Sequence, residues 1–377
     1  GNTELPEKLA IRPTSEAIMY PYLSKWIRSW KDLPFKMNQW VNVVRWEFKH
    51  PVPFFRTREF WFNEGHTAFA TEAAAEGERD KILKIYKSIC ADLLAVPGIV
   101  GKKTDKEKFA GAEASYSIEH LLPNGKAIQG PAFHADGQKF SKAYDVTFLD
   151  QNQKKQYAWQ NTWAISTRNI GVMLATHGDN KGLIIPPRVA QTQVVVVPIY
   201  KAANKKKIIA AAKKLASKLE RAHVDDREDY SPGWKFNEWE LKGVPLRIEL
   251  GPRDLAKKQV VLVRRDIGTK KEIPLAKVKE AVKNQLDAIQ KNLLNKAKKF
   301  LADNTHVAKN KKEFEAAVKK GGFIQAAWCG SVACEEALKD EYRTKATNMP
   351  FDAQNKIGKC IWCGKKGLHV VNWAKSY

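Results

Sequence analysis

The 377-residue chain lacks any apolar run approaching the ~20 residues of a membrane-spanning helix, which excludes such a span from the reading. No secretory signal opens it, so a cytoplasmic setting is expected. No initiator methionine precedes Gly1, Asn2 and Thr3, and the start reads like the interior of a longer protein. Cysteine is scarce, at five residues, and unevenly spread. Cys90 stands alone in a helical stretch, as a small core residue would. The other four crowd the C-terminal end, where the spacing suggests a metal rather than disulfides. Acidic residues are in deficit: Lys and Arg number 65 against 41 Asp and Glu, for a net charge of +24. Such a balance favours a polyanionic partner, nucleic acid first and an acidic membrane second. Lysines cluster at 205–207, 296–299 and 309–312, which assigns that affinity mainly to the second half. The hydrophobic share, 44%, is that of a soluble chain with enough residues for two or three cored domains.

What is present in abundance is charge on strand-like sequence between residues 41 and 66. Val41, Val43 and Val44 open it as a buried strand would, Pro51 and Pro53 break it, and aromatics resume through Phe62. Two strands joined this way make an antiparallel hairpin. Arg45, Glu47, Arg56, Arg58, Glu59, Glu64 and His66 sit on it, and charges at that density are costly to bury unpaired. They are expected to line a polar cleft; the plainer alternative is an edge hairpin with a solvated charged face.

Arg45-x-Glu47, a loop, then Arg56-x-x-x-Phe60 resembles motif 2 of the class II aminoacyl-tRNA synthetases. Arg12-Pro13-Thr14-Ser15-Glu16 upstream and Glu64-Gly65-His66 downstream narrow the resemblance to prolyl-tRNA synthetases of the archaeal and eukaryotic type. It runs through almost the whole chain. The run 127–140 keeps Gln129, Gly130, His134, Gly137 and Phe140 of the family pattern but carries Pro131, Ala132, Phe133 and Asp136 beside them. Ala132 replaces a hydroxyl that in the family helps hold substrate. Residues 160–168 resemble the next substrate-facing strand, and 177–188 resemble motif 3, with Arg188 heading a helix. The interval from His66 to His177 is too short for the large editing insertion of bacterial-type enzymes, so no proofreading of mischarged alanine is expected.

The resemblance implies α+β architecture: an antiparallel-sheet class II catalytic domain over 1–190, an α/β anticodon-binding domain over 191–297, and a small C-terminal zinc-binding α/β domain over 298–377. It implies ATP-dependent activation of L-proline and its transfer to tRNA(Pro). Arg45 would bridge the proline carboxylate and the α-phosphate through its planar fork. Arg56 and Arg188 would take the outer phosphates or stack on adenine opposite Phe60, with Arg45 and Arg188 as the catalytic cations. Glu47, Thr57, Gln129 and Arg168 would complete the ATP site, and Mg2+ would bridge phosphate oxygens. Proline would lie among Thr14, Glu16, Arg45, Phe62, Glu64, His66, His134 and Ser166. Most relatives carry tryptophan where Phe62 stands, which makes this wall smaller. The family is dimeric, so a homodimer follows by resemblance only, since motif 1 would precede Gly1.

Elsewhere the residues speak more generally. Residues 14–19 start a helix after Pro13, and Tyr22, Trp26 and Trp30 return at helical spacing, as core residues do. Residues 71–94 read as an amphipathic helix with Ile82, Ile85, Ile89 and Leu93 on one face. From Gln193 buried strands (194–199, 260–263), an alternating strand (246–250) and helices (205–222, and Val278 through Leu293) argue for a mixed sheet. Within that part Arg227, Lys235, Glu240 and Arg253 are the candidates for reading anticodon bases. Cys329-x4-Cys334 and Cys360-x2-Cys363 form a set of four thiolates suited to structural Zn2+, with no open position for catalysis. Two rival readings stand beside the lead one: a non-catalytic tRNA- or RNA-binding relative, and a class II synthetase for another amino acid.

Overall fold

A computed structural model describes residues 4–12, 14–47, 49–354 and 357–377; the readings placed on residues 1–3 and on Pro13 lie outside these. The chain divides into two compact units, one of Gly1–Ser88, Gly98–Val172 and Asp303–Tyr377, the other of Ile89–Pro97 and Met173–Ala302.

The first unit is built on a ten-stranded sheet. In spatial order its strands are Phe35–Val44, Glu59–Phe69, Trp159–Ser166, Ala127–Gly137, Ala114–Leu121, Ile99–Lys102, Lys345–Pro350, His369–Ala374, Phe323–Trp328 and Thr305–Ala308. Every pairing is antiparallel except the last. The expected hairpin is there, paired from Phe35↔Ala68 to Val44↔Glu59. The strands of the C-terminal segment extend this sheet. Met349 pairs with Lys102, Pro350 pairs with Gly101, and the Asn348 amide donates to the Ile99 carbonyl at 2.9 Å. Gly101 permits the junction, because a Cβ there would lie 2.4 Å from the Met349 oxygen.

One face of the sheet is closed by the helix Glu72–Ser88. Its buried side is Ala75, Glu78, Leu83 and Tyr86; Ile85 and Leu93 are exposed, which corrects the face expected from sequence. Leu83 packs with Phe133 in one buried cluster that Ile82 and Trp163 join, and the Tyr86 ring lies 6.3 Å from that of Trp163. Gly65 carries no side chain because the Trp163 ring fills that space, 2.1 Å from where a Cβ would be. The helix Glu16–Trp26 buries Tyr20 and Leu23 and leaves Tyr22 and Trp26 exposed, with Trp30 beyond it, again opposite to expectation. Those rings pack on one another instead, Tyr22 on Trp26 and Trp26 on Phe35, each pair 6.2 Å apart.

The second unit has a five-stranded mixed sheet: Ala222–Val224, Val194–Pro198 and Leu246–Leu250 run parallel, then Gln259–Arg264 and Lys270–Pro274 run antiparallel. Val194 and Val196 face Ile208, Ala212 and Leu215 of the helix Lys205–Ala216, together with the helix Val278–Asp303. Val195 and Val197 face Phe236, Trp239 and Val244 on the other side. A strand covered on both faces explains the unbroken valine run.

Candidate active site

Directly paired residues of antiparallel strands share a face, and alternate residues along each strand do too. Val41 and Val43 pair with Phe62 and Phe60; Phe62 and Glu64 pair with Ser166 and Ala164; His66 pairs with Thr162. Ala164 and Thr162 pair with Ala132 and His134, and Ser115 follows opposite His134. Residues scattered from 41 to 166 are thus laid in rows on one face, opposite the helix Glu72–Ser88.

At one end of that face is a cavity of ≈ 200 Å3. Of the residues expected to hold the nucleotide, Arg45, Glu47, Arg56, Thr57, Phe60, Gln129 and Arg168 all line it, as do Phe62, His134 and Ser166. The Arg45 guanidinium sits 5.5 Å from the Phe60 ring centre and 3.9 Å from Glu47, with Phe60 stacked on Phe62 at 5.5 Å. Arg168 opens the helix Arg168–His177. Its Nε donates to the Phe55 carbonyl at 3.1 Å and its Nη1 to that of Gln129 at 3.3 Å. Burial, and then the charge of Arg56, depress its pKa, so a desolvated cation is held in place by two carbonyls.

Sequence reasoning missed two parts of this wall. Lys103 and Glu119 form a buried ion pair at 2.6 Å beside Gln129 and Arg168, in an adjoining cavity of ≈ 350 Å3. Tyr377 lines the same cavity: its main-chain oxygen accepts from Arg56, its ring lies 4.9 Å from that of Phe55, and its amide donates to the Ala127 carbonyl at 3.0 Å. Strand-like alternation gave a signal for Glu119, but nothing local ties Tyr377 to Arg56.

Further along the face lies a buried polar cluster. Thr14 donates to Glu16, and Gln39 donates to Glu64. His66 Nε2 stands 3.3 Å from Glu64 Oε1, and both residues are buried. Burial works against ionisation of Glu64, but its contacts with His66 and Gln39 prevail and hold its pKa below the usual range. His134 accepts or donates at 2.8 Å to Ser115; burial, with Lys103 adding to it, depresses its pKa to about 4, so it is neutral at pH 7. Tyr20, Thr162 and Asp136 complete the cluster, and sequence reasoning did not single out the first two.

The second unit holds the remaining candidates. Arg188 does not head a helix: residues 187–189 form a turn, and its Nη1 donates to the Asp92 carbonyl at 3.0 Å. In the first unit, the third arginine lining the Arg45 cavity is Arg168. Arg227 is held by both oxygens of Asp225 (2.9 and 2.8 Å) and by Glu238. Lys235 is buried, donating to the Asp225 carbonyl at 3.0 Å and to that of Arg227, so it is a structural cation and not a base reader. Arg253 lies in the short helix Pro252–Ala256. Glu240 differs: it lines a cavity of ≈ 160 Å3 with Lys181, Trp239, Arg247, Arg265 and Lys270. Arg247 stacks 4.3 Å from the Phe236 ring there.

The sulfurs of Cys329, Cys334, Cys360 and Cys363 all lie within 4.8 Å of one another, with Cys329 at 3.7 Å from both Cys334 and Cys363. Four sulfurs at about 2.3 Å from one ion are separated by about 3.7–3.8 Å, so the set fits a tetrahedral thiolate site. Burial, then the hydrogen bonds of Cys363 and Cys329, push the Cys334 thiol up to about 12.

Three family models match the chain: the tRNA synthetase class II core domain (G, H, P, S and T) over residues 2–177, the anticodon binding domain over 193–285, and the prolyl-tRNA synthetase C-terminal domain over 311–377. Similar proteins include proline–tRNA ligase 2 of Bacillus cereus, 47% identical over 380 residues, covering 100% of this chain and 79% of that protein. Proline–tRNA ligases of Oceanobacillus iheyensis and Alkaliphilus oremlandii are each 45% identical, with the same coverage of both chains.

Proposed function

The chain belongs to the prolyl-tRNA synthetases, and we propose that the cleft of Arg45, Arg56 and Arg168 is where it joins proline to ATP. The function is ATP-dependent activation of L-proline and its transfer to tRNA(Pro). In activation a proline carboxylate oxygen attacks the α-phosphorus, and the bond to the β-phosphate oxygen breaks, releasing pyrophosphate. Two anions must meet, so the catalytic need is positive charge fixed beforehand. The observation that carries this reading is three arginines from two strand ends and a helix start lining one cavity.

Arg45, over Phe60, bridges the carboxylate and the α-phosphate. Arg168, its Nε and Nη1 taken by carbonyls, presents Nη2 to the same oxygens. Arg56 takes the outer phosphates, Glu47 and Thr57 flank the adenine, and Gln129 closes the floor. Mg2+ carried on the triphosphate would neutralise its oxygens. Glu16, Glu64 and His66 form the acidic side for the imino group of proline, with Phe62, His134 and Ser166 as its walls. The adenylate then gives its prolyl group to the terminal ribose of the tRNA, and AMP leaves.

Glu240, with Arg247 and Lys270 around the ≈ 160 Å3 cavity, is the reading group for an anticodon base, since acidic and basic side chains there meet base edges and phosphate. The four cysteines hold a structural Zn2+, which secures the end of the ten-stranded sheet. A homodimer is favoured by the edge strand Phe35–Val44, where Trp40 is 71% exposed and Trp61 beside it 55%. A cytoplasmic location follows from work in translation; no described helix is long and apolar enough to cross a membrane. The archaeal and eukaryotic subtype is favoured by the C-terminal domain and the short interval from His66 to His177, although the relatives named above are bacterial. The test is exchange of labelled pyrophosphate into ATP: it should require proline. Absence of exchange with any amino acid would leave the non-catalytic RNA binder, and exchange with a different amino acid would leave the third reading.

A further inference from the structure

Asp136 departs from the family pattern, and its surroundings are unusual for a carboxylate. It is fully buried, Thr162 donates to its Oδ2 at 2.6 Å, and the Tyr20 hydroxyl lies 3.4 Å from the same atom. Its Oδ1 is buried with no hydrogen-bond partner. The charged and titratable groups facing it are Glu16 and Tyr20 from the helix Glu16–Trp26, Glu113 ahead of the strand Ala114–Leu121, and, through Tyr20, the His66–Glu64 pair. None supplies a cation to Asp136, and an unpaired carboxylate in such a place takes a proton instead. Burial, with the negative charges of Glu16 and Glu113, drives its pKa well above the ordinary value.

We propose that neutral Asp136 is a positioning residue of the amino-acid pocket, which fixes the tautomer of His66 through Tyr20. This rests on the reading of Glu64 and His66 as part of the proline site. The acid O–H donates to the Tyr20 oxygen, which also lies 3.0 Å from the Thr162 hydroxyl, itself donating to Asp136. The Tyr20 hydroxyl then donates to His66 Nδ1, 3.3 Å away, leaving the ring proton on Nε2, 3.3 Å from Glu64. The ring is thereby presented with its Nε2–H side toward the Glu64 carboxylate. If Asp136 loses its proton, the Tyr20 hydroxyl turns to the new carboxylate and His66 Nδ1 loses its donor. The relay runs in one direction only while Asp136 is neutral.

Asp136→Asn keeps a donor toward Tyr20 and cannot ionise; Asp136→Leu keeps the bulk and has no donor. In proline-dependent exchange, Asp136→Asn should hold the KM for proline within threefold of the parent and remove its rise at alkaline pH. Asp136→Leu should raise that KM about tenfold at every pH with kcat changed less. A second readout needs no substrate. A group that binds its proton more tightly in the native state loses stability as pH rises from its unfolded pKa toward its folded one. The parent should therefore lose melting temperature relative to Asp136→Asn above pH ~4, by about 2 °C per pH unit. Imidazole 15N shifts should show His66 as the Nε2–H tautomer in the parent and in Asp136→Asn only. A parent-to-Asn melting gap that stays constant with pH, or identical KM profiles for the Asn and Leu variants, overturns the proposal. Absence of exchange defeats the reading of the site as a proline site, and the melting and 15N measurements still decide the state of Asp136.

Discussion

Arg168→Met separates the stability of the cleft from its chemistry. Burial and the neighbouring charge of Arg56 both disfavour the Arg168 cation, so the folded protein holds it at a cost. Replacing it removes that cost, but leaves the carbonyls of Phe55 and Gln129, 3.1 and 3.3 Å from the guanidinium, without those donors. Each lost bond costs about 1–3 kcal/mol, against an effective desolvation penalty of several kcal/mol for the buried ion. The two nearly cancel, and the melting temperature should move by less than about 5 °C in either direction. Activity has no such compensation. Losing a preorganised donor to a developing anion costs about 3–4 kcal/mol, a factor of about 10²–10³ in kcat. Proline-dependent pyrophosphate exchange measured beside thermal melting should show a large fall in kcat with a near-parental melting curve. Exchange within tenfold of the parent, or collapse of the melting transition, would refute the assignment and make Arg168 a structural tie.

Arg45→Ala should lower exchange at least about 10²-fold with melting unchanged, since Arg45 is partly exposed and its tie to Glu47 at 3.9 Å is weak; loss of folding would show it to be structural. Metal analysis should find one zinc per chain, and Cys360→Ser or a chelator should remove it and lower the melting temperature; a chain without zinc contradicts the site. Glu240→Ala should raise the KM for tRNA about tenfold or more and leave exchange untouched, and an equal loss in exchange would place Glu240 outside anticodon reading. His134 binds its proton less readily folded, at about 4 against 6.5 unfolded, so the unfolded chain takes up more protons in that window and stability falls as pH drops through it. That contribution, up to about 3 kcal/mol, should be missing from acid melting of His134→Asn.

The legible parts of this protein are those governed by short-range periodicity. The β-branched residues at 41–44, the break at Pro51 and Pro53 and the aromatics through Phe62 predicted the hairpin, in which Phe60, Phe62, Glu64 and His66 share a face. The valine run at 194–197 announced a strand buried on both sides, and the cysteine spacing announced the cluster. What failed was choosing among chemically equal candidates. The turn of the chain after Ser166 brings Arg168 back to Phe55 and Gln129, contacts that no local pattern announces. Tyr20 and Tyr22 stand two residues apart on one helix, yet the first is buried on Asp136 and the second lies in a surface row of rings.

The same distinction explains why the cleft holds more than its motifs. A motif records residues that one stretch of backbone can aim together, and the Arg45 wall is of this kind. The opposite wall is made by closure: Tyr377 meets Arg56 across 321 positions, and the Lys103–Glu119 pair stands next to the junction of Gly101 with Pro350. The C-terminal strands add to this sheet, so the cysteine cluster and the wall holding Arg56 hang on one hydrogen-bonded ladder. Destabilising the thiolate site loosens the strands that carry Tyr377, and the effect should reach Arg56 before it reaches Arg45, whose strand lies at the far edge of the sheet.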